Sequence, residues 1–93
     1  MNESVTVRHR PEAHRFEAEL PQGTAVCAYR LQDGVMLLTH TEVPAALEGR
    51  GIAARLVAAA LDWARAQGLR VRPLCSYVAA YMRRHPETRD LLA

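Results

Sequence analysis

Glu48-Gly49-Arg50-Gly51-Ile52-Ala53-Ala54 is the stretch on which the reading of the fold turns. Beyond it, Ala53, Leu56, Val57, Ala60, Leu61 and Ala64 recur at the spacing of one face of an amphipathic helix. Arg55, Asp62 and Arg65 fall on the other faces, and Gly68 supplies a C-terminal stop. Before it, Val35 to Leu38 is apolar without interruption and runs into Thr39-His40-Thr41-Glu42-Val43, where Pro44 ends the strand. A strand apolar on both faces belongs inside a sheet. Past the helix, Leu69, Val71, Pro73 and Cys75 alternate with Arg70 and Arg72 as a further strand. Strand, helix and strand in that order predict a crossover unit with two parallel, neighbouring strands.

Working outward, the first half reads as an antiparallel meander. Val5-Thr6-Val7 predicts a first short strand. His14, Phe16, Ala18 and Leu20 alternate with Arg15, Glu17 and Glu19, the period of a half-buried strand. Residues 24–31 resume as a third strand after Pro21-Gln22-Gly23, and Asp33-Gly34 marks a tight hairpin. At the other end, Tyr77 to Arg84 reads as a second, shorter helix closed by His85-Pro86. The expected class is therefore α+β. It has a mostly antiparallel five-stranded sheet, one long helix and one or two short ones, and parallel fourth and fifth strands. Ninety-three residues fit one domain, 1–93.

Composition narrows the possible functions. At 49% hydrophobic and 24% charged, the chain has the balance of a folded globular protein. No segment has the roughly 20 apolar residues of a membrane span. The first residues lack the pattern of a secretory signal, so Cys27 and Cys75 are expected as free thiols in a cytoplasmic protein. Charge is unevenly distributed. Residues 1–49 carry four Arg against seven acids, and residues 50–93 carry eight Arg against three. A basic C-terminal half suits an anionic ligand. No basic run with interleaved aromatics points to nucleic acid, and no metal is implied. All twelve basic residues are Arg; the chain has no Lys.

The chemistry falls where the central strand meets the long helix. Gly49 and Gly51 precede a helix start, whose first amides lack intrahelical partners and carry partial positive charge. Glycines let a ligand approach the backbone, so the loop is a candidate phosphate cradle. Cys75 ends a strand and opens a helix, a position that favours thiolate. Cys27, within a strand, reads as a buried structural thiol. His40 and Glu42 are candidate bases on the central strand.

Together His40-Thr41-Glu42-Val43-Pro44, Gly49-Arg50-Gly51-Ile52-Ala53 and the Ala/Leu helix resemble the acyl-CoA-binding motif of the GCN5-related N-acetyltransferases (GNAT). In that motif, Arg/Gln-x-x-Gly-x-Gly/Ala, Gly51 and Ala53 match, while Glu48 stands where Arg or Gln is usual. Val43-Pro44, Pro73-Leu74-Cys75, Tyr81 and Arg84-His85-Pro86 extend the resemblance to the miniature YjdJ-type subfamily, over roughly residues 5–92. The resemblance implies acetyl-CoA as the donor substrate and an amine as acceptor. It implies that strands four and five splay apart, with pantetheine between a lip of His40, Thr41, Glu42 and Val43 and a lip of Pro73 to Cys75. Gly49, Arg50, Gly51, Ile52, Ala53 and Ala54 would hold the pyrophosphate, with Arg83 and Arg84 as further phosphate partners. Cys75 would lie beside the thioester, either accepting the acetyl group or lining the pocket, and Tyr81 near the thioester sulfur. Only His9 to Ala13 stands where larger members carry the helices that help form the acceptor site. That gap leaves the acceptor undetermined and keeps open a non-catalytic acyl-CoA-binding module.

Overall fold

The computed structural model of the chain describes residues 5–93. Five strands lie side by side in sequence order: β1 (Arg8–Arg10), β2 (Arg15–Leu20), β3 (Gly23–Gln32), β4 (Val35–Glu42) and β5 (Arg70–Pro73). The first four are antiparallel, and β5 is parallel to β4, as the crossover predicts. The crossover is α1 (Ile52–Ala66), and α2 (Ser76–Arg84) follows β5. Short 3-10 segments occupy Pro11–Ala13, Ala45–Leu47 and Pro86–Leu91.

The first strand differs from expectation. It lies at Arg8–Arg10, and Val5 and Val7 only pack, half-buried, against the core. The reason is aromatic packing. His9 pairs with Phe16 in the sheet and stacks on its ring at 4.1 Å, with the Trp63 ring edge-on at 4.6 Å. Its Nε2 also shares a hydrogen bond with the Tyr29 hydroxyl. Pro11 then turns the chain, and His14, at φ 53°, leads into β2.

One face of the sheet carries the core. Phe16, Ala18, Ala25, Cys27, Tyr29, Met36 and Leu38 are buried against Leu56, Val57, Ala60, Leu61 and Ala64 of α1, and Val78 and Met82 of α2 are buried with them. Ile52 joins the buried stripe of α1 in place of Ala53, which is half-buried. No helix among the described residues covers the opposite face. Val26, Ala28, Val35 and Leu37 there are half-buried, so β4 is apolar on both faces but covered on one. Glu17 on that face is nevertheless buried, because it accepts hydrogen bonds from Arg10 Nε at 2.8 Å and Arg15 Nε at 2.9 Å.

Two irregularities set up the site. Tyr29 pairs with Leu38 while Ala28 pairs with His40, leaving Thr39 as a bulge. One extra residue reverses the alternation of the strand. Beyond it Thr41 points to the core side with Cys27, and His40 and Glu42 point to the open face. The second is the parting of β4 and β5. Pairing stops at Leu38↔Pro73, and the amides of Leu74 and Cys75 both donate to the Leu38 carbonyl, at 3.0 and 2.9 Å. Among the described residues, no strand pairs with residues 39–42 on that side, where the Cys75 side chain meets Thr41. With Leu74 donating inward, the alternate nitrogen of Pro73 points to the outer edge, where no donor is needed.

His9 makes the aromatic cluster sensitive to acid. Burial lowers its pKa below 6.5, partly opposed by the Glu12 carboxylate. The unfolded chain therefore takes up the proton first. The contribution is complete above pH 6.5 and is lost as pH falls from there through the folded value. Thermal midpoints read by Trp63 fluorescence should decline in wild type as pH falls below 6.5. His9→Phe should remove that decline; an unchanged slope in the variant would assign it to another group. Glu17 and Asp90, held low by Arg10 and Arg65, titrate only in stronger acid.

Candidate active site

A cleft of about 410 Å³ opens where β4, the 3-10 turn, α1 and α2 converge. Val43, Leu47 and Ile52 give it an apolar wall, and Thr41 and Tyr77 bring hydroxyl groups. Its other side is backbone. Gly49 and Gly51 have φ of 81° and 75°, and a Cβ added at either would meet no atom within 4 Å. These glycines leave open space beside the chain in a conformation that side chains disfavour. The first helical bond of α1 runs from the Arg55 amide to the Gly51 carbonyl at 3.2 Å. The amides of Ile52, Ala53 and Ala54 precede it, at the positive end of the helix dipole. Such a surface fits a pyrophosphate. Among the described lining residues, Glu48 is the one that opposes an anion.

Cys75 stands immediately before α2. Its thiol donates to Thr41 Oγ1 at 3.5 Å, and Thr41 donates in turn to the Cys27 sulfur at 3.9 Å. Burial raises the Cys75 pKa, but this is outweighed by the Thr41 hydroxyl and the amides of Val78 and Tyr77. Those amides favour thiolate although they fall outside capping-bond geometry with the sulfur. The net value lies below that of an ordinary thiol. Cys27 is fully buried, and burial pushes its thiol up to about 11. Two thiols sharing one hydroxyl thus have opposite character, one accessible and acidic, the other inert.

The structure brings together Thr41, Val43, Gly49, Gly51, Ile52, Ala53 and Cys75 of the residues singled out above. Ala54 and Arg50 adjoin them, Arg50 exposed at the rim. His40 and Glu42 lie 3.8 Å apart but across β4, exposed on the open face. Tyr81 does not join the cleft. Its ring stacks on His85 at 4.0 Å and lines a separate crevice of about 140 Å³ between α1 and the Pro86–Leu91 segment. Arg84 ends α2, at the far end from the cleft. The tyrosine at the cleft is Tyr77, one turn earlier and 37% exposed. Its position two residues after Cys75, in the first turn, was the available signal.

A strand, a glycine turn and a helix, followed by a parallel strand that parts from the first, define the acetyltransferase class to which this site conforms. The model of the GCN5-related N-acetyltransferase family matches residues 15–91, and the chain belongs to that family. It is similar to the protein NATD1 of human, 45% identical over 85 residues, spanning 88% of this chain and 75% of that one. The mouse protein NATD1 is 34% identical over 85 residues, spanning 88% and 77%. A GCN5-like protein of Staphylococcus aureus, solved by NMR in solution, has the same fold. Its TM-score is 0.76 at 20% identity, covering 95% of this chain and 87% of that one. Family membership supports acetyltransferase chemistry in general. No helix among the described residues is long and apolar enough to cross a membrane.

Proposed function

We propose that this chain, acting as one cytoplasmic domain, moves an acetyl group from acetyl-CoA to an amine through Cys75. The observation that carries this reading is the placement of an acidified thiol against Thr41, where β4 and β5 part. The glycine turn and the amides of Ile52, Ala53 and Ala54 would hold the pyrophosphate. The unpaired edge of β4 from Thr39 to Glu42 would pair with the pantetheine amides. The thioester supplies an activated acyl group; the rest falls to the chain.

Cys75 Sγ, as thiolate, attacks the acetyl carbonyl. Its new S–C bond forms as the thioester C–S bond breaks, releasing the coenzyme thiolate, which takes a proton from solvent. Thr41, which accepts from the neutral thiol, turns its hydroxyl to donate to the thiolate. The acceptor amine then attacks acetyl-Cys75, forming N–C as Sγ–C breaks. His40 or Glu42 takes the amine proton on the open face, where both are exposed.

The test is free CoA released from acetyl-CoA across a panel of amines. Release above hydrolysis with at least one amine is expected. Tight acetyl-CoA binding with no amine-dependent release would favour the non-catalytic module. Absence of binding at near-millimolar acetyl-CoA would overturn both.

A further inference from the structure

Charge on the open face of the sheet is sorted by row. Ala28 pairs with Arg15 of β2 on one side and His40 of β4 on the other. In the next row, Leu37 pairs with Arg30 of β3 and Arg72 of β5. Ala28 and Leu37 are half-buried, while Arg15, Arg30, Arg72 and His40 are exposed. Four basic side chains therefore surround a small apolar floor, and those two rows contain no carboxylate. Acidic residues begin one row away, where Val26 pairs with Glu17 and Glu42.

Glu17 does not cancel the positive charge so much as orient it. It is 4% exposed and takes Arg10 and Arg15 each through Nε. The Arg10 hydrogen bond leads in lowering its pKa, so the carboxylate stays ionised at neutral pH. The Nη groups of both arginines have no hydrogen-bond partner among the described residues. With side-chain exposures of 38% and 45%, they are fixed donors open to solvent. A planar guanidinium held in this way binds a carboxylate or phosphate with little ordering cost. Two strand spacings, roughly 10 Å, separate Arg15 from His40 at the backbone. The gap between β4 and β5 begins just past Leu38, the last residue of β4 paired with β5, so it opens beside the Ala28–His40 row and next to the Leu37 row.

We propose that this face is the acceptor surface and that it selects amines carrying an anionic group. Arg15, Arg30 and Arg72 hold the anion, and the amine reaches the gap beside His40. The inference rests on the acyl-transfer reading and adds to it the chemical class of the acceptor. A long polyanion suits the face less well. A continuous phosphate backbone crossing it would meet Glu42 and Glu19, and among the described strand residues on this face none is a Phe, Tyr or Trp that could stack bases.

The experiment compares 6-aminohexanoate with 6-aminohexanamide as acceptors for the full chain, with acetyl-CoA saturating and salt low. The acid should be favoured at least about tenfold in kcat/KM. The Arg30→Glu/Arg72→Glu double variant should lose the preference, and acetyl-CoA titration checks that its cofactor cleft is intact. Equal use of the two amines by wild type overturns the proposal. A second measurement stands if neither amine is acetylated and the transfer reading itself fails. Titration of the labelled chain with 6-acetamidohexanoate should shift the backbone NMR signals of Arg15, Ala28 and Arg30, while its neutral amide should not. Absence of shifts on this face with the carboxylate overturns the anion site whatever the activity.

Discussion

Gly51→Glu should abolish acetyl-CoA binding, raising Kd at least about a hundredfold, equivalent to about 2.7 kcal/mol. Two effects act in one direction. Gly51 sits at φ 75° as the N-cap of α1, and a side chain there costs on the order of 1 kcal/mol in backbone strain. The larger effect is electrostatic. Gly51 lines the cleft and a Cβ added there meets nothing within 4 Å, so a glutamate side chain would be free to bring its carboxylate into the space offered to a pyrophosphate. Like charges in a partly desolvated site cost several kcal/mol. Gly34→Glu is the control for strain. Gly34 has a similar φ of 77° and open surroundings, but it lies in the β3–β4 hairpin away from the cleft. That variant should lose some stability and keep its affinity. Calorimetric titration of both decides the matter, and undiminished binding by Gly51→Glu would remove the glycine turn from the site.

Incubation with acetyl-CoA should place a hydroxylamine-sensitive acetyl group on Cys75 and a resistant one, at most, on the N-terminal amine. Without Lys, the chain offers no ε-amine to compete for the label. Cys27 should stay unmodified, being fully buried with a pKa of about 11. Labelling of Cys75 should quicken with rising pH as thiolate forms and level off below the range of an ordinary thiol, since its pKa is lowered. Cys75→Ala should keep its affinity for acetyl-CoA and lose roughly a thousandfold or more in transfer, the scale expected when a nucleophile is removed. Intact mass with peptide mapping reads the first result and CoA release the second. Stable label at another residue, or wild-type transfer by Cys75→Ala, would replace the two-step route with direct attack by the amine.

Much of the fold was legible because its signals are local. The helix periodicity from Leu56 to Ala64, the Asp33-Gly34 turn and the strand–helix–strand order each depend on neighbours within a few residues. They correctly implied that β4 and β5 are parallel and adjacent. The glycine turn was equally readable, since the positive φ at Gly49 and Gly51 favours glycine whatever surrounds it. The reading of β4 as one lip went less far. Nothing in Thr39-His40-Thr41-Glu42 announces a bulge, yet that bulge decides which side of the strand each of these residues serves.

Sequence alone determined β2 to β5, both helices, their order and the position of the glycine turn, because backbone conformation and hydrophobic period are written over short distances. Tertiary structure decided everything that depends on distant partners. Cys75 is acidified by Thr41, thirty-four positions away, and by the turn of α2 that follows it. Tyr77 rather than Tyr81 reaches the cleft because α2 presents its first turn there. Glu17 is buried on a face that alternation marks as polar because Arg10 and Arg15 close over it. Pairing register sets these contacts, and register is a property of two strands together, which no single segment specifies.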